Sequence, residues 1–451
     1  MKVHFIAIGG SAMHNLAIAL HKKGFEVTGS DDVIFEPSVS RLAKHGLLPK
    51  EYGWYPEKIT TNLDAVILGM HARTDNPELL AAQQAGLIIY SYPEYIYEQS
   101  KDKLRVVIGG SHGKTSITSM ILHALQAAGQ AFDYLVGAQL EGFDTMVGLS
   151  DAPLMIIEGD EYLSSPIDRR PKFHLYHANL AVISGIAWDH INVFPTFENY
   201  IEQFATFIDT MVPNGALYYA GNDDVLKKVI ADDDSTIKKY PYHAPDYEVN
   251  NGITTVVISG DKYELQVFGE HNLLNLEAAR NICNNLGITT ADFYDSMRSF
   301  KGAARRLELL GKSDSTNIYK DFAHSPSKLK ATIHAVKTQF PERKLVACME
   351  LHTFSSLNKN FLGEYAGCMD EADTAIIFIH SETFFHKKMQ PYEESFVRST
   401  IRRQDLIYFD QPEKLKEYLE EQKLNGTNLL LMSSGNFGGL DLIALTEKLL
   451  S

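Results

Sequence analysis

One stretch limits the fold more than any other: LRVVIGGSHGKTSITSMILHALQAAG, residues 104–129. It reads as a β-branched strand, a glycine loop, and a helix whose apolar spacing stops at Gly129. A strand that leaves through a tight loop into a helix commits the next strand to lie parallel, so a crossover α/β sheet follows. The loop also aims backbone N–H groups and the positive helix end at whatever lies before it, which is the geometry of an anion site. The common phosphate loop is Gly, four residues, then Gly-Lys-Ser/Thr. Here Gly113, Lys114 and Thr115 supply the end, but Ile108 stands where the first glycine belongs. On the residues alone two readings stay open. One is a shortened nucleotide loop, with Lys114 on the terminal phosphates and the Thr115 hydroxyl on Mg²⁺; the other is a plain tight turn.

The same alternation of short apolar runs and amphipathic segments starts three times. VHFIAIGG, NLAIALHKKG and FEVTGSDD read as strand, helix, strand; DAVILGM and LIIYS continue as strands, and YPEYIYEQSKDK closes the region as a helix. The second start is the glycine-loop stretch, followed by the strands APLMIIEGDE and NLAVISGIAWDH and the helix FENYIEQFATFIDTM. TTVVISG and YELQVFG add β-like runs, and NLLNLEAARNICNNLG a helix. The third runs through NIYKDFAH, KLVACMEL, TAIIFIH, DLIYFD and NLLLMSSGNFGG. A chain of 451 residues exceeds what one core supports. The expected domains are therefore 1–103, 104–303 and 304–451, each α/β around its own sheet.

Composition removes several classes. Hydrophobic residues at 45% and charged residues at 22% fit a soluble globular chain. A formal charge of −15 argues against a general nucleic-acid or anionic-membrane surface, while leaving room for a local basic pocket. The three cysteines form no CxxC pair, which fits a reducing cytoplasm and no structural zinc. No run of eighteen apolar residues suggests a membrane span, and MKVHFIAIGG reads as a first strand rather than a signal peptide.

The remaining candidates follow from where polar residues end apolar runs. Ligands gather at the carboxyl ends of parallel strands. Glu158, Asp160 and Glu161 end one such run, so Glu158 is a carboxylate for Mg²⁺ beside Thr115. Asp189 and His190 end the next, where His190 is either part of a capped turn or a second metal ligand. His271 and Asn272 open a helix, and Asn272 alone reads equally well as its cap. Arg305 and Arg306 stand at the border of the third region, where an arginine can stabilise charge on a transferring phosphoryl group. Asp321 and His324 end another strand, with Pro326 placed to begin a helix. The opening loop AIGGSAM approximates a dinucleotide fingerprint, with Ala7 and Ala12 replacing two glycines and Asp31 about twenty residues on. It suits a Rossmann-like unit holding some diphosphate other than a nicotinamide cofactor. The segment ELHTFSSLNKNF is an acceptor-pocket candidate by position only.

Together GGSAM with TGSD, GGSHGKTS, EGDE, DH, GEHNLLN, ARRLE, DFAHSP and the Gly-rich final strand–helix turn resemble the Mur ligase family across essentially the whole chain. That family joins amino acids or peptides to UDP-muramoyl precursors of peptidoglycan in the bacterial cytoplasm, using ATP and Mg²⁺. Its nucleotide loop has this shortened form. The resemblance implies three domains: a Rossmann-like one for the UDP-sugar, a central P-loop ATPase-like one, and a Rossmann-like one for the incoming amino acid or peptide. It implies no stable protein partner, nucleic acid or membrane. Activation passes through an acyl phosphate on UDP-N-acetylmuramate. By resemblance, Lys114, His190 and Arg306 are catalytic, and Thr115, Glu158 and His190 hold Mg²⁺. ATP is held by Gly110, Ser111, His112, Gly113, Lys114, Thr115, Ser116, His271, Asn272, Arg306, Asp321 and His324. The UDP-sugar is held by Gly9, Gly10, Ser11, Ser30 and Asp31. Two branches share these features, one adding L-alanine and one adding the recycled tripeptide L-alanyl-γ-D-glutamyl-meso-diaminopimelate. DRRPKFHLYH, RRLELLG, DFAHSP and MSSGNFGGL are more similar to the second. Gly185 and Ser325 depart from the family pattern, which has Asn and a second His there.

Overall fold

The computed structural model describes residues 1–303 and 306–451, which form two compact units. The first comprises Met1–Ile186, Thr196–His243 and Ala278–Phe293. It holds two sheets. In the smaller, β1 (Lys2–Ile6), β2 (Glu26–Ser30), β3 (Ala65–Leu68) and β4 (Ile89–Ser91) lie parallel in the order β2-β1-β3-β4. The larger contains β5 (Leu104–Gly109), β6 (Asp133–Leu135), β7 (Val147–Gly148), β8 (Leu154–Glu158), β9 (Leu180–Ile183), β10 (Ala216–Ala220) and β11 (Lys238–Tyr242). Their order is β11-β10-β9-β5-β8-β6-β7, parallel except for the last pair. Val106, Val107, Ile108, Met155, Ile156 and Ile157 are fully buried, because helices cover both faces of a parallel sheet. That is why these strands read as unbroken apolar runs rather than as alternating ones.

The second unit comprises Ala187–Pro195, Ala244–Glu277 and Tyr294–Ser451. A three-stranded antiparallel sheet, β12 (Tyr247–Asn250), β13 (Ile253–Ile258) and β14 (Asp261–Leu265), accounts for the β-like runs expected there. The main sheet contains β15 (Glu308–Lys312), β16 (Asn317–Asp321), β17 (Lys344–Glu350), β18 (Thr374–Phe378), β19 (Ile407–Phe409) and β20 (Thr427–Met432). Its order is β15-β16-β20-β17-β18-β19. Alternate residues feed two cores: Leu345, Ala347, Met349, Leu430 and Met432 on one face, Val346, Cys348, Leu429 and Leu431 on the other. β15 is the antiparallel edge strand, which the sequence reading passed over for its arginines. The three cysteines are free and buried. The α/β class with a parallel sheet in each of three regions is the one the sequence led us to expect.

Arg105 ties the helix Tyr92–Ser100 of the first unit to the sheet that follows it. The side chain is buried, and its guanidinium donates to the carbonyls of Ser100 (2.8 Å), Lys101 (2.8 Å), Lys103 (3.1 Å), Tyr176 (2.9 Å) and His177 (3.0 Å). Helix ends leave carbonyls without intrahelical partners, and five forked donors suit that task. Arg105→Met keeps the bulk and removes the donors, stranding several buried acceptors. The expected cost is about 2–5 kcal/mol, read as a lower urea midpoint for this unit.

Candidate active site

In the large sheet of the first unit, β5 runs on toward β6 across β8, whereas β9 runs on toward β10 on the opposite side. The crevice between β5 and β9 at their carboxyl ends is thus a topological switch point, where α/β sheets place ligands. The loop Gly110–Gly113 lies there. Gly110 has φ +123, and a Cβ on it would stand 2.1 Å from Ser184 Oγ, so only glycine permits the loop to press onto the end of β9. Ser111 N donates to Gly185 O (3.0 Å), and Ser184 Oγ donates to His112 O. Gly113, left-handed at φ 71, hands the chain to the helix Lys114–Ala127.

The acidic cluster meets that loop. Lys114 Nζ donates to Gly110 O (2.7 Å) and Glu161 Oε2 (2.5 Å). Burial works to lower the lysine pKa, but the charges of Glu161, Asp160 and Glu158 outweigh it and hold the ammonium protonated. Thr115 Oγ1 donates to Glu158 Oε1 (2.8 Å), while Gly137 N donates to Glu158 Oε2 (2.7 Å). A hydroxyl oxygen beside a carboxylate is a hard-donor pair that suits Mg²⁺, which takes few protein ligands and completes its shell with water and phosphate. Asp160 turns to Lys172 (2.5 Å); burial raises its pKa, yet Lys172 brings the net shift downward. Thr115 and Glu158 are therefore brought together as expected. Among the described residues, no three His, Cys, Asp or Glu side chains cluster as a metal cage.

The small sheet carries the five residues expected at the UDP-sugar. Asp31 Oδ2 accepts from Gly9 N (2.7 Å), and the amides of Ala7 and Ile8 donate to Ser30 O. A Cβ on Gly9 would meet Ile34 and Asp31 at 2.8 and 2.9 Å. Burial raises the Asp31 pKa against the bond from Gly9. Gly10 is the N-cap of the helix Ser11–Lys22, and no side chain caps that helix start. Lys58, which the sequence reading did not single out, donates to Ser30 Oγ (3.2 Å).

In the second unit, Asp189 Oδ1 accepts from His190 N (2.8 Å), and its Oδ2 pairs with Lys328 (3.5 Å). His190 O accepts from Val193 N and Phe194 N, so the DH pair does form a capped turn, with His190 at φ 54. Asp321 accepts from Leu307 N (2.6 Å) and Ala323 N (2.7 Å); burial raises its pKa, opposed by Arg306. The Arg306 guanidinium lies 4.9 Å over the Phe322 ring. Its neighbour Arg305 lies outside the described residues. Asn272 does not cap its helix. It sits within Glu270–Asn285 and donates to Phe268 O (2.9 Å). Ser325 precedes the helix Pro326–Gln339, buried and with its Oγ unpartnered.

The main sheet of this unit has its own switch point. The helix Leu442–Leu450 after β20 packs on β15, while β17 leads on to β18 on the other side. In the crevice, Glu350 Oε2 accepts from Phe437 N (2.9 Å) and from Ser433 Oγ. His352 lies close by, near enough that a Cβ on Gly435 would meet both it and Glu350. Ser434 Oγ is buried there without a partner.

Comparison with known proteins fits this arrangement. The pattern described as Mur ligase family, catalytic domain, matches residues 2–103; the Mur ligase middle domain matches 108–283; and the Mur ligase, glutamate ligase domain matches 305–435. A UDP-N-acetylmuramate–L-alanine ligase of Lactobacillus gasseri is 30% identical over 390 residues, covering 83% of this chain and 84% of the relative. The crystal structure of a murein peptide ligase from Psychrobacter arcticus is similar in fold at TM-score 0.67 and 21% identity, covering 100% of this chain and 98% of its own. The UDP-N-acetylmuramate–alanine ligase of Thermotoga maritima reaches 0.71 at 18% identity, with coverage of 100% and 98%.

Two histidines of the candidate set are held neutral. Burial, then His334, pushes His271 down to about 4. Burial and Lys328, against Asp189, push His324 down to about 3. In the unfolded chain both take up protons near pH 6.5, whereas in the folded chain they do so only far lower. The unfolded state therefore binds more protons across that window, and stability falls as pH drops through it. Histidine ring NMR signals for these two residues are expected to keep the neutral pattern down to about pH 5.

Proposed function

The chain belongs to the Mur ligase family, an ATP-dependent amide ligase that adds an amino acid or peptide to UDP-N-acetylmuramate, and we propose that its acceptor is the tripeptide L-alanyl-γ-D-glutamyl-meso-diaminopimelate. The reading of a nucleotide loop is carried by one observation: Lys114 stands in a glycine loop at a switch point, with Thr115 and Glu158 bonded beside it. A carboxylate is a poor electrophile in water, so joining it to an amine needs prior activation. ATP supplies that by passing its γ-phosphoryl group to the lactyl carboxylate, with release of ADP; the acceptor amine attacks the resulting acyl phosphate, and phosphate leaves as the amide forms and the amine gives up a proton.

Each residue then has a task. Lys114 and the loop amides from Gly110 to Ser116 orient the phosphates and balance their charge. Thr115 and Glu158 would hold Mg²⁺, whose charge would screen two anions that must approach each other, and His190 would hold a second such ion. Arg306 neutralises charge on the transferring group. His271, Asn272, Asp321 and His324 line the nucleoside side. Gly9, Gly10, Ser11, Ser30 and Asp31 seat the UDP group. We assign these roles to regions 1–103, 104–303 and 304–451, in cytoplasm. The acceptor falls to the crevice of Glu350, His352 and Ser434, where a carboxylate and an unpartnered hydroxyl can read an amine end.

The tripeptide is supported by DRRPKFHLYH after the acidic cluster and by MSSGNFGGL at the crevice. The 30% identity to an L-alanine ligase favours a second reading, with L-alanine as acceptor. Assays with alanine, dipeptide, tripeptide and tetrapeptide, each with ATP and UDP-N-acetylmuramate, separate the two. Tripeptide preference is expected, and turnover with alanine alone would replace our reading by the second. Lys114→Ala is expected to lower ligation by about a thousandfold or more without changing the circular dichroism. A folded variant with ordinary turnover would remove the loop from the reaction.

A further inference from the structure

The nucleotide loop is closed into a ring by a side chain that no motif includes. Tyr200 lies on the helix Phe197–Asp209 and is 0% exposed. Its hydroxyl sits 2.9 Å from Ser111 Oγ and donates to Glu161 Oε1 at 3.1 Å. The other oxygen of Glu161 accepts from Lys114, which also holds Gly110 O. The hydroxyl has one proton. Since that proton goes to Glu161, the Ser111 hydroxyl must donate to the tyrosine oxygen. The direction around the ring is thus set: Ser111 to Tyr200, Tyr200 to Glu161, and Lys114 to Glu161 from the far side. Glu161 is 1% exposed and Ser111 2%, so water does not level these bonds. The tyrosine ring is itself fixed, edge-on to Phe204 at 5.3 Å, and Phe173 and Phe207 stack at 4.6 Å beside them.

A lysine that must reach a phosphate is here held by a buried carboxylate. Phosphate and Glu161 compete for the same ammonium. How strongly Glu161 competes depends on how much of its charge other donors already satisfy, because a carboxylate with fewer donors draws harder on those it keeps. We infer that Tyr200 is a positioning residue of the nucleotide site: its hydroxyl satisfies Glu161 in part, and so sets how readily Lys114 leaves that carboxylate for a phosphate. This rests on the reading of the loop as the ATP site.

The test is calorimetric binding of a non-hydrolysable ATP analogue with Mg²⁺ to the full chain, as wild type, Tyr200→Phe, Glu161→Gln and the double variant. Tyr200→Phe keeps the ring and removes the donor, so the dissociation constant should rise about tenfold, one hydrogen bond to a charged group. Glu161→Gln removes the competing charge and should bind at least as tightly as wild type. In that background, adding Tyr200→Phe should change affinity by less than about twofold, since the effect runs through the carboxylate. A packing role would give the same loss in both backgrounds, and that result overturns the inference. So does a Tyr200→Phe protein within about twofold of wild type, by the same cycle. If Tyr200→Phe does not fold, Glu161→Gln decides alone: weaker binding than wild type refutes the competition. A wild-type chain that ignores the analogue would instead overturn the ATP reading itself.

Discussion

The parallel register of β5 with its two neighbours is the constraint on which the rest depends. Ile108 pairs with Glu158 on one side, and Gly109 pairs with Ile183 on the other. That pairing brings the glycine loop, the acidic cluster and Ser184 to one edge of the sheet. A slip of one residue would turn Glu158 to the opposite face and separate it from Thr115. The strands themselves are fixed in the core, where Val106, Val107, Ile156 and Ile157 are fully buried. The position of the loop that carries Lys114 is thus secured by apolar residues of the sheet.

Buried acids serve as scaffold throughout the molecule. Asp31 holds the amide of Gly9, Glu158 that of Gly137, Asp321 those of Leu307 and Ala323, and Glu350 that of Phe437. Each lies at the carboxyl end of a strand, where the chain leaves the sheet and its amides lose their ladder partners. A carboxylate there accepts from such donors and fixes the loop's path. Removing such a residue disturbs geometry and electrostatics together.

Much of this was legible in the chain. Lys114, Thr115 and Glu158 could be grouped because a strand–loop–helix pattern and an apolar run ending in acids both point to one edge of a parallel sheet. The dinucleotide-like opening located Gly9 and Asp31 for the same reason. Other residues were silent. Arg105 looks like a charge at the edge of an apolar strand, and nothing local announces the carbonyls of Tyr176 and His177. Tyr200 reads as one more member of an apolar helical stripe, although a buried phenol needs a partner for its hydroxyl. Asn272 was open to a capping role that the structure does not give it, because its helix had already begun at Glu270.

Local sequence was enough for the parallel α/β class, the three restarts, and the strand–glycine loop–helix unit that carries Lys114, since these follow from periodicity and from residues adjacent in the chain. Tertiary structure decided which acid does what. Glu158, Asp160 and Glu161 are near neighbours in sequence, yet they face Thr115, Lys172 and Lys114. Those partners come from other segments, and only the packing of helices on the sheet determines which oxygen each one can reach.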